Sequence, residues 1–194
     1  MCHALLGEAR LYEALLRFDE DLAATARTQG CRCGGVLHSA RFPRKPRGAA
    51  IALGPQYDRR LSFCCAREGC RARTTPASLR FLGRRAYLGA VVVLVAALHQ
   101  GLTGRRARRL RELVGVSLRT LKRWRRWWRE ELTASAFWKA RRGLFAAPVE
   151  AARLPASLLE RFAASNERER LVAALAFLAP ITTTSSRVGS TMAI

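Results

Sequence analysis

Five cysteines within residues 31–70 constrain the fold of this chain more than any other feature of its sequence. The first two stand in Cys31-Arg32-Cys33-Gly34-Gly35, and the other three in Cys64-Cys65-Ala66-Arg67-Glu68-Gly69-Cys70. Two tight cysteine groups beside turn glycines are typical of a metal site. Four thiolates form a closed tetrahedral shell, so the spacing predicts a structural zinc ion rather than a catalytic one.

The predicted zinc ligands are Cys31, Cys33, Cys65 and Cys70. Cys64 is the alternative to Cys65, and His38 could replace one of the cysteines. We expect Cys64 to point away from the metal, because successive residues of a strand face opposite sides. The arrangement resembles a zinc ribbon, although a ribbon usually carries a C-x-x-C pair on each side.

The net charge of the chain is the second constraint. It has 35 basic and 14 acidic residues, a formal charge of +21, and all but three of the basic residues are arginine. Such an excess disfavours a compact fold unless a polyanion neutralises it, which makes nucleic acid the first expected partner and an anionic membrane surface the second.

The sequence contains no secretory signal, and its longest apolar run, from Leu88 to Leu98, is shorter than the roughly 20 residues of a membrane-spanning helix. We therefore expect a cytoplasmic, nucleoid-associated protein with no membrane partner. In that compartment clustered cysteines favour metal over disulfides.

Composition and periodicity predict a mainly α protein with a small β zinc ribbon and a helix-turn-helix domain. The predicted regions are an N-terminal amphipathic helix (1–30), a zinc-ribbon-like domain (31–82), a helix-turn-helix domain (83–142), a C-terminal helical region (143–180) and a disordered tail (181–194). The predicted helices cover 8–27, 84–99, 103–113, 117–131, 157–162 and 167–178, and the predicted strands cover 36–42 and 59–64.

The helix-turn-helix prediction depends on a turn at Gly115. Counting outward from this glycine, apolar residues stand at the positions that this motif buries, namely Leu110, Val114, Val116, Leu121 and Trp124. Ser117 is the predicted N-cap of the recognition helix and is also expected among the DNA-binding residues. Arg111 occupies a position where a small residue is usual, and a three-helix, homeodomain-like variant with a looser turn would tolerate it.

The exposed face of the helix after Ser117 predicts contacts with duplex DNA. Arg119, Thr120 and Arg123 are expected at base edges, and Lys122 and Arg126 at phosphates. On the preceding helix the expected phosphate contacts are Arg105, Arg106, Arg108 and Arg109. The spacing of Trp124, Trp127 and Trp128 favours a core-facing stripe over a platform that stacks single-stranded bases.

The chain resembles the DNA-recognition portion of bacterial insertion-element transposases over roughly residues 31–132. The similarity lies in the cysteine pairs, in Arg-Thr-Thr-Pro at 73–76 and in the sequence from Gly115 to Trp124. The resemblance implies sequence-specific duplex DNA binding by a mobile-element protein, with a separate transposase or recombinase subunit as a partner. A transcriptional regulator of the same architecture and a basic RNA-binding or ribosome-associated zinc protein are the alternatives.

Catalytic motifs are missing from the sequence. Transposase chemistry needs a carboxylate triad that holds two metal ions, whereas this chain has three aspartates, all at or before Asp58. No phosphate-binding loop, nucleophile elbow or zinc-protease motif is present. We therefore expect a protein that is not an enzyme and has no small-molecule substrate.

Overall fold

The computed structural model describes residues 2–44, 46–82, 87–98, 108, 112 and 114–184. Over these residues the protein is mainly helical, with a small antiparallel sheet beside a group of cysteines, as the sequence predicts at this level. The longer helices are α2 (Ala9–Gln29), α3 (Gly89–Leu98), α4 (Leu118–Arg126) and α7 (Glu167–Leu178), and the shorter ones are α1 (Cys2–Leu5), α5 (Ala136–Arg141), α6 (Ala156–Leu159) and α8 (Ile181–Thr184).

Helix α2 follows the apolar spacing of its sequence. Leu11, Tyr12 and Leu15 are buried on one side, while Glu13 and Arg17 are exposed on the other. The helix ends at Gly30, whose φ of 71° lies in the region that glycine adopts at low cost.

The cysteine module, residues 31–75, contains the strands. Strands β1 (Leu37–Ser39), β4 (Phe63–Cys65) and β5 (Arg73–Thr74) form an antiparallel sheet in the order β1-β4-β5, and β2 (Phe42–Pro43) pairs with β3 (Arg59–Arg60). The strand predicted over 36–42 is thus two short strands, because Ala40 bonds to Ser62 at the change of partner.

Helix α3 begins later than its sequence pattern predicts. Tyr87 and Leu88 form β-bridges with Arg47 and Phe81, so the helix starts at Gly89 rather than near residue 84. Its described side chains are buried from Ala90 to Ala96, as its apolar composition indicates. The predicted helix over 103–113 lies mostly outside the described residues. Within that range the structure describes 108 and 112, and both are helical, as is residue 114.

Helix α4 continues without a break into a π-helical turn (Trp127–Glu131) and a last turn (Leu132–Ala134). Short 3₁₀ turns cover Pro55–Asp58, Arg142–Leu144 and Ala151–Arg153.

The prediction of a disordered tail from residue 181 is wrong for Ile181–Thr184, which form α8. Thr182 is buried and accepts a hydrogen bond from the backbone N–H of Ser78, a partner 104 residues away that no local pattern could indicate. The rest of the predicted tail, residues 185–194, lies outside the described residues.

Two apolar clusters hold the protein together. The larger one, called the helical core here, takes side chains from all of the helices α1 to α7, so the boundaries drawn from composition do not divide it. The smaller cluster lies in the cysteine module and consists of Ala23, Leu37, Leu61, Phe63 and Cys65, with three further cysteines packed against it.

Candidate metal centre and basic helix face

Four cysteine sulfurs, those of Cys31, Cys33, Cys65 and Cys70, lie within 4.8 Å of one another and are called the four-cysteine centre here. The Sγ atoms of Cys31 and Cys70 are 3.7 Å apart, and those of Cys33 and Cys65 are 3.5 Å apart. A tetrahedron of thiolates about 2.3 Å from a metal has sulfur–sulfur edges of about 3.8 Å. A disulfide would need about 2.05 Å, so the spacing fits a shared metal ion and not paired disulfides.

Cys31 and Cys33 lie on a tight turn at the end of α2. Gly34 donates its N–H to the carbonyl of Cys31 at 2.8 Å, and Cys31 donates its own to the carbonyl of Gly35 at 3.1 Å. A Cβ at Gly35 would lie 2.6 Å from Cys65 Sγ and 3.3 Å from Cys33 Sγ. Position 35 therefore requires glycine, because the Cβ of any other residue would collide with the cysteine sulfurs.

Cys65 and Cys70 flank a second turn that begins where β4 ends. The backbone N–H of Arg67 points at Cys65 Sγ at 3.4 Å, and Cys70 donates its N–H to the carbonyl of Arg67 at 3.2 Å. Gly69 completes this turn with a φ of 81°. The Arg67 guanidinium donates to the carbonyl of Cys33 at 2.8 Å and so joins the two turns.

The structure brings together the four cysteines predicted as ligands and leaves both alternatives outside the cluster. Cys64 lies on the opposite face of β4, where its thiol donates to the carbonyl of Arg71 at 3.4 Å. His38 pairs with Cys64 across the sheet and is exposed. The alternation of side chains along β4 therefore separates Cys65 from Cys64.

Electrostatics in the four-cysteine centre favour a bound cation. Hydrogen bonds from the Gly35 N–H and then from the three neighbouring thiols lower the pKa of Cys33 to about 6. At Cys65 the Arg67 N–H lowers the pKa, but burial and the other thiols outweigh it and raise the pKa to about 12. One thiolate thus opposes the ionisation of the next, and a divalent cation would remove that opposition.

The turn before α4 has the local structure that its sequence predicts. Gly115 has a φ of 63°, and Ser117 caps the helix by accepting the N–H of Thr120 at 3.2 Å. Tyr87 donates its hydroxyl to the carbonyl of Gly115 at 3.1 Å and packs edge-on against Trp124. These contacts fix the start of α4 against the N-terminal end of α3.

The buried side of α4 also follows the sequence. Val114, Val116, Leu121 and Trp124 are buried, whereas Leu110 and Arg111 lie outside the described residues. Trp127 and Trp128 are buried in the helical core, so the tryptophan stripe faces the core as predicted.

The opposite side of α4 carries exposed cations. Arg119, Lys122, Arg123 and Arg126 are all exposed, and we call them, together with Arg129 in the π-helical turn, the basic face. Arg129 was not among the predicted contacts, although its spacing of three residues from Arg126 could have indicated it. Its guanidinium also donates to the carbonyl of Ala152 at 2.9 Å.

Some of the side chains predicted to contact DNA already have bonding partners within the protein. The Thr120 side chain is half-buried, and its hydroxyl lies 3.0 Å from that of Ser117 in the helix cap. Arg126 forms an exposed ion pair with Glu130 at 2.8 Å.

Most of the cations predicted to contact phosphates from the preceding helix lie outside the residues that the structure describes. Arg108 is helical and exposed, while Arg105, Arg106 and Arg109 lie outside the described residues.

Among the helices that the structure describes, none is long and apolar enough to span a membrane. No family model, curated protein or solved structure matches this chain.

Proposed function

We propose that the protein binds duplex DNA through the basic face and that the four-cysteine centre holds a structural zinc ion. One observation carries the DNA proposal: α4 buries an apolar stripe against the core and presents a row of cations on its other side. A capped turn precedes this helix, as in the helix-turn-helix motif predicted from the sequence.

Zinc is the metal that best suits four thiolates at tetrahedral spacing. All four positions of the shell are cysteine, which leaves no open position for water or substrate and favours a structural role. The metal-loaded protein should contain one zinc per chain, and Cys65→Ser should lose it. Cys64→Ser, which changes the neighbouring thiol, is the matched control and should keep it.

In this proposal α4 enters the major groove. Arg119 and Arg123, near the start of the helix, would read base edges, where an arginine fork donates two hydrogen bonds to guanine. Lys122 and Arg126 would contact phosphates, and Arg129 would extend that row. The hydroxyls of Ser117 and Thr120 serve the helix cap, so we assign them a positioning role.

The test is a selection from random duplexes with metal-loaded protein, followed by affinity measurements across salt concentrations. A common site should be enriched. Arg119→Ala should weaken binding to that site by about 1–3 kcal/mol and relax the preference at one base pair. Lys122→Ala should weaken all sequences about equally and reduce the salt slope by about one.

Arg17→Ala removes one exposed charge from α2 and is the charge-matched control for these variants. If it weakened binding as much as Lys122→Ala, general charge rather than the basic face would explain the affinity. A selection that enriched no site, or structured RNA that outcompeted duplex DNA at matched salt, would contradict the proposal.

The biological setting comes from the sequence resemblance. We propose a role in recognising the ends of a mobile element, as a binding rather than a catalytic protein, with a recombinase supplied by another chain. An enriched site that matched inverted repeats flanking its own gene would support this role, and one found at promoters would favour a transcriptional regulator.

A further inference from the structure

Helix α2 belongs to both apolar clusters. Its first half places Leu11, Tyr12 and Leu15 in the helical core, and its second half places Ala23 in the small cluster of the cysteine module. Between them lies Asp19, a carboxylate that is only 1% exposed. A single rigid helix therefore spans both parts of the protein.

Asp19 is the centre of a buried polar junction. Its carboxylate accepts hydrogen bonds from Ser78 Oγ at 2.5 Å, Leu79 N at 2.6 Å and Arg80 Nε at 2.8 Å. Arg80 is equally buried and donates to the carbonyls of Gln56 and Arg59, at 3.2 and 3.1 Å. The junction thus ties α2 to the base of the cysteine module, where β3 begins.

The same junction continues into the helical core. Gly89, the first residue of α3, donates its N–H to the carbonyl of Arg80 at 2.7 Å. A Cβ at this glycine would lie 2.9 Å from the carbonyl oxygen of Leu79, so the two segments are in close contact. Helix α3 packs against α4, the helix that carries the basic face.

The cysteine module has little to hold it without a metal ion. Its own cluster has five buried residues, one of them a cysteine of the four-cysteine centre and another, Ala23, supplied by α2. A core of this size does not usually sustain a fold alone, and small modules of this kind gain their stability from a metal or from disulfides.

We infer that metal occupancy of the four-cysteine centre controls the stability of α3 and α4 through the Asp19–Arg80 junction, and thereby regulates DNA binding by the basic face. Loss of the metal releases β3 and β4, the carbonyls that hold Arg80 move away, and the charged pair loses its burial. The metal-dependent stability of α3 and α4 is inferred from the geometry alone. The regulation of DNA binding rests on the proposed function.

The four tryptophans make this inference testable. Trp124, Trp127, Trp128 and Trp138 are all buried in the helical core, so tryptophan emission reports on that core and not on the cysteine module. Cobalt(II) bound to thiolates absorbs visible light and reports on the four-cysteine centre itself. The two readouts can be followed in one thermal melt of the full chain.

With cobalt at a thousandfold excess over its dissociation constant, the tryptophan-monitored Tm should exceed that of the chelator-treated protein by about 8–16 °C. Cys70→Ser should abolish this difference, and Cys64→Ser should keep it. If cobalt absorbance disappeared with chelator while the tryptophan-monitored Tm moved by less than about 2 °C, the inference would be overturned.

The double variant Asp19→Leu/Arg80→Met tests the junction, since a buried ion pair can often be replaced by an apolar pair at little cost. It should retain cobalt binding but show less than half of the metal-dependent Tm difference. An undiminished difference in Tm would overturn the role of the junction.

Hydrogen exchange on the wild type needs no variant. The α3 amides should exchange faster after chelation, and unchanged exchange would count against the inference.

The DNA part is measured separately, with a duplex probe at fixed salt. Chelation should weaken binding by at least tenfold and restored metal should recover it. If the metal-loaded protein bound no duplex, the proposed function would fail while the tryptophan result still decided the coupling. If binding were equal with and without metal, regulation would fail and the proposed function would stand.

Discussion

Replacing Gly35 with alanine should destroy the four-cysteine centre without touching any ligand. The added methyl would lie 2.6 Å from Cys65 Sγ and 3.1 Å from Arg67 Cβ. To restore an ordinary contact of about 3.5 Å, the sulfur would have to retreat by roughly 0.9 Å. Metal–ligand distances hold to within about 0.2 Å, so Cys65 would leave the shell.

The expected result is a loss of metal affinity of about 100-fold or more, at the upper end of what changes around a metal shell produce. Cobalt titration in competition with a chelator of known affinity measures this loss directly, through the cobalt–thiolate absorbance. The backbone of Gly35 is not among the residues with positive φ, so steric contact with sulfur is the cause that this variant tests.

Two other glycines separate this cause from backbone strain. Gly143 has open space around its Cα and no positive φ, so Gly143→Ala should leave the affinity unchanged. Gly34 also has open space but a φ of 78°, and Gly34→Ala should cost about 1–2 kcal/mol of strain, which is a loss of roughly 5–30-fold. Affinity of Gly35→Ala within threefold of wild type would refute the steric argument.

Two further predictions concern charged residues. Asp19→Ala leaves the Arg80 guanidinium buried without its carboxylate and should lower the free energy of unfolding by about 3–5 kcal/mol in urea denaturation followed by tryptophan emission. Asp21→Ala, an exposed position on the same helix, is the control, and equal losses in the two variants would contradict the assignment. Glu130→Gln releases Arg126 from its ion pair and should raise duplex affinity several-fold at low salt but little at high salt. Unchanged or weaker binding at low salt would show that Arg126 does not contact DNA.

Short-range patterns were enough to predict which four cysteines come together and which side of α4 is buried. The choice of Cys65 over Cys64 needs only strand alternation and the position of β4, and the buried face of α4 needs only the spacing of Leu121, Trp124 and Trp128. In both cases the information lies within one or two turns or within one strand. The structure therefore agrees with the sequence where a single element decides the outcome.

The polar junction could not be predicted in this way. Asp19 stands in a row of acidic residues that looks like the solvated side of an amphipathic helix, and its partners are 59 to 61 residues away. The same applies to α8, which is held by a bond across 104 residues. Contacts of this separation depend on how the elements pack, and one sequence gives no measure of that.

The placement of the few acidic residues supports the proposal that the basic face binds a polyanion. Asp19 is used inside the protein, and Glu150 and Glu160 both pair with Arg153. Within the part of the chain that the structure describes, no carboxylate forms an ion pair with Arg119, Lys122 or Arg123.

A folded chain with a charge of +21 would reduce its self-repulsion by placing carboxylates beside these cations. The π-helical turn that continues α4 contains two glutamates, Glu130 and Glu131. Helix α4 itself contains none. Uncompensated cations cost stability in the free protein. In the proposed complex, phosphates would neutralise them and the counterions condensed on the nucleic acid would be released. The absence of ion-paired carboxylates at Arg119 and Arg123, among the described residues, leaves these cations available to the nucleic acid that we propose as the partner.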